Sequence, residues 1–408
     1  MNMLTSTTIN QIFDIKESFQ LPGQLSAILR DKTKREEVFE SFLAFHLDTS
    51  FDWFTEYFQE QHANRDKMMQ DYTPKEVCEL TTSMCDSFES VVDICAGTGG
   101  LTIAAHSKQP NAFFCCVELS ARSYPLLCFN LAIRNMNALA IRADVLSGEV
   151  FEICKITKGE IFSDIEALAK MPELPLFDFV IMNPPYSLKH QWNDTNSDTR
   201  FVKYGFPPNN AADWGFVLHG LSLMKESGTL AAILPHGVLF RGGKEKTIRE
   251  NLIKDNYLDT IIGLPEKLFL NTGIPVAILK FKKSKDILFI NAEKCYYKSS
   301  KINYLQESHL EKIKSAVKLR DNVLKFSHKA TYEEIKQNDY NLNIPRYVDT
   351  FEPETPVDLL ALRDEWLAIE EEEGKTCSQL LKMLDDLVTN DDQKQKELQI
   401  VKELIGGN

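Results

Sequence analysis

Val91-Val92-Asp93-Ile94-Cys95-Ala96-Gly97-Thr98-Gly99-Gly100 runs a short apolar segment into a glycine-rich turn, and a helical pattern begins near Leu101. The apolar run is too short for a helix and reads as a buried strand. Gly97 and Gly99 permit positive φ and close backbone approach to a ligand, while the helix start offers free N–H groups. This layout predicts a nucleotide-type cofactor loop, although an ordinary tight turn has the same composition. The next apolar run, Phe113-Phe114-Cys115-Cys116-Val117, ends in Glu118, where an acid accepts hydrogen bonds from both ribose hydroxyls. The run after it, Ala138 to Ala143, ends in Asp144, with the Val145 backbone and Leu146 beside it to meet an adenine edge. Taken singly, each acid reads as a solvated strand terminus. Taken together, Asp93, Glu118 and Asp144 would stand along the carboxyl edge of one sheet, where open α/β sheets bind ligands.

A further apolar run, Phe177-Asp178-Phe179-Val180-Ile181-Met182, delivers Asn183-Pro184-Pro185-Tyr186 to its carboxyl end. The exocyclic amine of a base is a poor nucleophile because its lone pair is delocalised into the ring. Two acceptors at its N–H groups, the Asn183 side-chain oxygen and the Pro184 carbonyl, would favour the tetrahedral amine of a methyl-transfer transition state. Tyr186 would stack on the base, and the prolines fix φ near −65° and stiffen the loop. The plain alternative is a strand closed by a Pro-Pro turn.

Apolar runs alternate with helical segments from about Glu89 to Lys283, which predicts an α/β fold with a doubly wound, mostly parallel sheet. The expected organisation is a helical region over 1–70, the α/β domain over 71–285, a helical and irregular extension over 286–356, and C-terminal helices over 357–408. Thr73 reads as an N-cap with Pro74 at the first helical position, or as a holder of a ligand carboxylate at that helix start. The polar stretch from Ser187 to Ala212 is long for a connection and reads as a lid or base-binding loop. Its Lys189, His190, Arg200, Lys203 and Tyr204 would suit a nucleic-acid strand or a solvated surface. His236 reads as a turn or structural residue, not a base. The last segment carries leucines among many charges, predicting an antiparallel helical pair or a coiled coil broken near Gly374 and Thr389.

With 408 residues, 43% hydrophobic and 26% charged, the chain exceeds one comfortable core but has ordinary globular composition. No run of about twenty apolar residues occurs and the polar N-terminus lacks a signal-peptide layout, so a cytoplasmic protein is expected. Of nine cysteines, Cys95, Cys115, Cys116 and Cys128 fall in apolar runs and read as small buried residues. No paired C-x-x-C knuckles occur and no metal site is expected. A net charge of −13 predicts weak DNA binding by the chain alone, with a local positive patch at Arg241, Lys244, Lys246 and Arg249.

The spacing of Asp93 from Gly97-Thr98-Gly99 is similar to that of S-adenosylmethionine-dependent methyltransferases. More specifically, the chain resembles the modification (M) subunits of type I restriction-modification systems, which are N6-adenine DNA methyltransferases. The resemblance runs from about Asp71 to Asp358 and is carried by Tyr72-Thr73-Pro74, Asp93 to Gly100, Asn183 to Tyr186, Tyr204 to Pro208 and Ala212-Asp213-Trp214. It is carried as well by Pro235 to Gly243, Gly263-Leu264-Pro265, Thr272 to Pro275 and Asn338 to Tyr347. It implies that Tyr72, Thr73, Asp93, Ala96, Gly97, Thr98, Gly99, Glu118, Asp144, Val145 and Asn183 hold S-adenosylmethionine. Asn183, Pro184, Pro185 and Tyr186 would hold an adenine flipped out of the duplex. The implied partners are double-stranded DNA, a specificity subunit, a second M subunit and a restriction subunit, with no metal and no membrane. The C-terminal helices occupy the place where such subunits meet the specificity subunit, whereas the region before Asp71 is shorter than the family's usual helical domain. Cytosine N4, an RNA base or a protein glutamine amide presents a similar planar amine, and a non-catalytic cofactor-binding scaffold is the alternative of a different class.

Overall fold

The computed structural model describes residues 5–45, 48–55, 57, 73–192, 198–269, 273–299, 302–350, 358–387 and 390–406. Thirteen strands occur among them: β1 (Ser90–Asp93), β2 (Phe113–Glu118), β3 (Asn137–Asp144), β4 (Glu149–Thr157), β5 (Asp164–Ala167), β6 (Phe177–Met182) and β7 (Met224–Pro235) in the first half. The rest are β8 (Leu258–Gly263), β9 (Val276–Phe281), β10 (Asp286–Asn291), β11 (Tyr297–Lys298), β12 (Asn303–Tyr304) and β13 (Ser327–Thr331). Eleven of them form one sheet in the order β13-β10-β8-β9-β7-β6-β1-β2-β3-β4-β5.

The five central strands β7, β6, β1, β2 and β3 are mutually parallel. Antiparallel β9 leads to β8 and β10, which run with the centre, and β4, β9 and β13 alone run against it. Eight of the eleven strands therefore share one direction, as the doubly wound reading expects. The chain winds outward through β1, β2 and β3, then crosses back to β6 and β7. That reversal, between β1 and β6, is where a crevice opens at the carboxyl ends.

Period-two alternation gives each face of the sheet its own core. Val91, Phe114, Cys116, Ala140, Phe179 and Ile181 point to one side, while Val92, Cys115, Val117, Ile141, Val180 and Met182 point to the other. On the first side the N-terminal helices Ser6–Ile12, Leu21–Arg30 and Lys32–Leu43 pack against helix Tyr124–Ile133. Phe129, at the centre of that contact, meets Phe13, Phe39, Phe42 and Phe54 edge-on, with ring centroids 5.1–5.7 Å apart. The first helices thus share the core of the sheet.

Two expectations change. The stretch from 286, read as helical and irregular, contributes β10 and β13 to the main sheet, because Ile287, Leu288, Phe289 and Ile290 are buried on both faces. In the same stretch, helix Glu307–Leu319 buries Leu310, Ile313 and Ala316. Residues 351–408 form a second compact unit, in which helix Leu359–Asp385 passes through Gly374 without a break. It is joined to helix Asp392–Gly406 by the Lys402–Asp385 ion pair at 2.6 Å.

Candidate active site

Asp93, Glu118 and Asp144 are the last residues of β1, β2 and β3, and Asn183 follows β6 directly. The carboxyl ends of these strands surround a cleft of about 390 Å³ lined by Ile94 to Thr98, Glu118 to Ser120, Ala143 to Leu146 and Asn183 to Tyr186. Asp52, Thr55, Thr73, Gly100, Leu101, Leu188, His190 and Phe216 complete its wall. Gly97 (φ 58°) and Gly99 (φ 102°) have the left-handed backbone that the glycine pattern predicts, and a Cβ on Gly97 would meet nothing within 4 Å. The helix after the loop, Gly100–Lys108, starts with Gly99 as its cap.

Glu118 both orders the loop and faces the cleft: Gly97 N–H donates to Oε2 at 2.7 Å and Ser120 N–H to Oε1 at 2.6 Å. Burial raises its pKa above the ordinary carboxylate range, against the pull of these N–H donors. Asp144 accepts the Leu146 N–H at 2.9 Å. Asp93 stands behind the loop instead of lining the cleft. It is 1% exposed, and its oxygens accept from Thr102 Oγ1 at 2.9 Å and Cys95 N–H at 3.4 Å. Burial pushes its carboxyl up to about 7, opposed by these two hydrogen bonds. Asp93 thereby supports the turn from behind, while the cleft lining begins at Ile94.

Asn183 is half-buried between two hydroxyls. Its Nδ2 donates to Thr73 Oγ1 at 2.8 Å, and Tyr186 Oη donates to its Oδ1 at 2.8 Å. Thr73 is not the helix cap: Pro74 holds that position before helix Lys75–Thr82, which frees the Thr73 hydroxyl for Asn183. Pro184 is buried and Pro185 exposed, so the tetrapeptide is anchored on one side and open on the other. Tyr72 lies outside the described residues.

Asp52 carried no signal in the sequence beyond an aromatic neighbourhood. Its carboxylate accepts from Thr98 Oγ1, from Asn130 Nδ2 at 2.8 Å and from Thr55 Oγ1 at 3.0 Å. Asn130 also reaches the Thr98 carbonyl at 2.7 Å, and Arg134 binds Asn130 Oδ1 at 2.9 Å while lying 4.0 Å over the Trp53 ring. This buried network fastens the N-terminal segment to the glycine loop.

The residue 47–355 segment matches the family model described as N-6 DNA Methylase. The chain belongs to the N-6 DNA methylase family. This family member is 31% identical over 341 residues to the type I restriction enzyme MjaVIII methylase subunit of Methanocaldococcus jannaschii, covering 77% of this chain and 55% of that one. It is 28% identical to the MpnII methylase subunit of Mycoplasma pneumoniae, covering 71% of this chain and 55% of that one. The chain thus spans a little over half the length of these curated relatives. Among solved structures it resembles the type I restriction-modification methyltransferase subunit from Streptococcus thermophilus, at 31% identity and a TM-score of 0.63. That match covers 84% of this chain and 74% of that one.

Several basic residues expected to meet nucleic acid are tied inside this N-6 DNA methylase fold. Arg200 grips Asp198 and donates to the Val145 and Leu146 carbonyls at 2.7 and 2.9 Å, which braces the cleft wall. Lys203 and Tyr204 both bind Asp255. The expected positive patch is broken up: Arg249 is 2% exposed and donates to the Val238 carbonyl, Arg241 pairs with Asp213 and Glu245, and Lys246 pairs with Asp339. His190 lines the cleft and Lys189 is exposed. His236 is structural, with Nε2 3.1 Å from the Val276 carbonyl. Cys115, Cys116 and Cys128 are buried as expected, but Cys95 is half-buried at the cleft. Among the described residues no helix is long and apolar enough to cross a membrane, and no cluster of three or more His, Cys, Asp or Glu is placed to hold a metal.

Proposed function

We propose that the chain transfers a methyl group from S-adenosylmethionine to the N6 amine of adenine in DNA, as the modification subunit of a type I system directed by a specificity subunit. The observation that carries this reading is that Asn183-Pro184-Pro185-Tyr186 and the edge formed by Gly97, Glu118 and Asp144 open into one cleft. The residues present fit the donor: a volume of about 390 Å³ suits a nucleoside-sized ligand, Gly97 leaves its side of the cradle free of Cβ, and Glu118 retains lone pairs for ribose hydroxyls. Gly97, Glu118, Asp144, Val145 and Thr73 would hold it, with Asp93, Thr98 and Ala96 shaping the loop. When bound, S-adenosylmethionine supplies a methyl group activated by its sulfonium.

The chain's own groups prepare the amine. The Asn183 oxygen and the Pro184 carbonyl accept the two N–H groups, drawing charge off them as the nitrogen becomes tetrahedral. Tyr186 releases its hydrogen bond to Asn183 and stacks its ring on the flipped base, offsetting part of an unstacking cost of a few kcal/mol. Membership of the N-6 DNA methylase family favours adenine over cytosine.

Co-expression with a specificity subunit, followed by mapping of modified bases in host DNA, tests the reading. N6-methyladenine at one recognition sequence is expected, and Asn183→Ala should abolish it while S-adenosylmethionine still binds. Unmodified DNA despite intact cofactor binding would favour the scaffold alternative, and N4-methylcytosine would move the chemistry to the other amine.

A further inference from the structure

We propose that Asp213, Arg241 and Gly237 form a clamp on Ser187 that fixes the backbone of the tetrapeptide before it. The catalytic part of this inference rests on the methyl-transfer reading, whereas the clamp itself does not.

Ser187, the residue after Tyr186, has φ 53°. A non-glycine residue is strained in this left-handed backbone, and of the nine described ones Ser187 alone sits between two cleft-lining residues. Here the surroundings are specific. Ser187 N–H donates to Asp213 Oδ1 at 2.9 Å, and the Leu188 carbonyl accepts from Ala212 N–H at 2.9 Å. Arg241 Nη2 donates to Ser187 Oγ at 3.3 Å, while Nη1 bridges Asp213 Oδ2 at 3.1 Å and Glu245 Oε1 at 3.0 Å.

The clamp is stiff because its acids are buried: Asp213 is fully buried and Glu245 is 2% exposed. Asp213 also occupies the first turn of helix Asp213–Leu223, where backbone N–H groups favour negative charge. Burial pulls the Arg241 guanidinium down, but the Glu245 and Asp213 carboxylates outweigh it and hold its pKa above the ordinary value. The guanidinium lies over Gly237, where an added Cβ would come within 2.5 Å of Nε and Nη2. Two separated sequence segments, one at Asp213 and one running from Gly237 to Arg241, thereby converge behind one strained residue. A left-handed residue at 187 turns the chain sharply after Tyr186, whose hydroxyl then meets Asn183 at 2.8 Å.

The test uses the full chain with Arg241→Gln, Gly237→Ala, which keeps every charge, and Arg241→Gln combined with Ser187→Gly. Amide exchange across 185–190 should rise about tenfold or more in both single variants, with the 96–101 loop unchanged and S-adenosylmethionine affinity within about twofold. Turnover of the complex with its specificity subunit should fall about tenfold to a hundredfold at unchanged KM for the cofactor. Ser187→Gly should restore most of the loss in Arg241→Gln, because glycine adopts the left-handed backbone without strain. Unchanged exchange at 185–190 in both single variants, or turnover lost without rescue by Ser187→Gly, would overturn the clamp. Raised exchange in a protein that shows no methyl transfer even as wild type supports the clamp and removes the catalytic reading alone.

Discussion

At the scale of the residue, Asn183 depends on its neighbours for orientation. Both of its partners are hydroxyls able to donate or accept, so the amide is held in place but its two ends are distinguished only by which hydroxyl gives the proton. Thr73→Val removes one partner at nearly constant shape and should lower turnover about threefold to tenfold and weaken cofactor binding with it, while Thr73→Ser keeps both. A kcat and KM comparison checks this. Asp93 offers a pH test. Its folded pKa of about 7 lies above the unfolded value, so its ionisation costs stability as pH rises from about 4 to 7, and the cost is complete above that range. The rise corresponds to about 4 kcal/mol. The unfolding temperature of Asp93→Asn minus that of wild type should therefore increase from pH 4 to 7 and level off by about pH 8. A difference independent of pH would show that Asp93 is ionised at no cost. The residue types at the site were legible because carboxylates and Asn-Pro-Pro-Tyr end apolar runs. Which way Asp93 points was not, since a strand terminus can face either the cleft or the core.

At the scale of the element, strands and loop identities followed from short apolar runs, but the partners of those loops did not. Asp52 meets Thr98 and Asn130 across 46 and 78 residues of sequence, a separation at which no local pattern operates. Asp52→Ala leaves Asn130 Nδ2 and the Thr98 hydroxyl without this acceptor and should weaken S-adenosylmethionine binding about tenfold, by loosening the glycine loop that Thr98 belongs to. Calorimetry on the variant measures it. The aromatic nest around Phe129 predicts a second effect. Phe129→Ala opens a cavity among four rings and should cost about 3–5 kcal/mol, seen in denaturant unfolding, with proteolysis of the N-terminal helices rising in parallel. Residues from 286 onward were read as irregular because β10 is a short apolar run and β13, Ser-His-Lys-Ala-Thr, alternates too weakly to show a period.

At the scale of the whole molecule, a net charge of −13 opposes DNA binding by the chain alone. Fluorescence anisotropy at 0.15 M salt should give a dissociation constant above about 1 µM for the isolated chain, tightening when a specificity subunit is added. Helix Leu359–Asp385 carries Leu360, Trp366 and Ile369 at 66%, 58% and 63% exposure, more apolar surface than a solvated helix needs. Trp366→Asp with Ile369→Asp should abolish co-purification with that subunit without shifting the unfolding temperature of the 1–350 unit. The sequence by itself determined the strand-loop-helix order, the acids at successive strand ends and the planar-amine tetrapeptide, because each is a local pattern of residue type against a two-residue or helical period. Only the tertiary structure decided that Asp93 supports rather than touches, that Arg200, Arg241 and Arg249 are spent inside the protein, and that Ser187 is held in a left-handed turn. Those outcomes depend on which distant segments share a buried volume, where a charge must find its partner or lose its hydration.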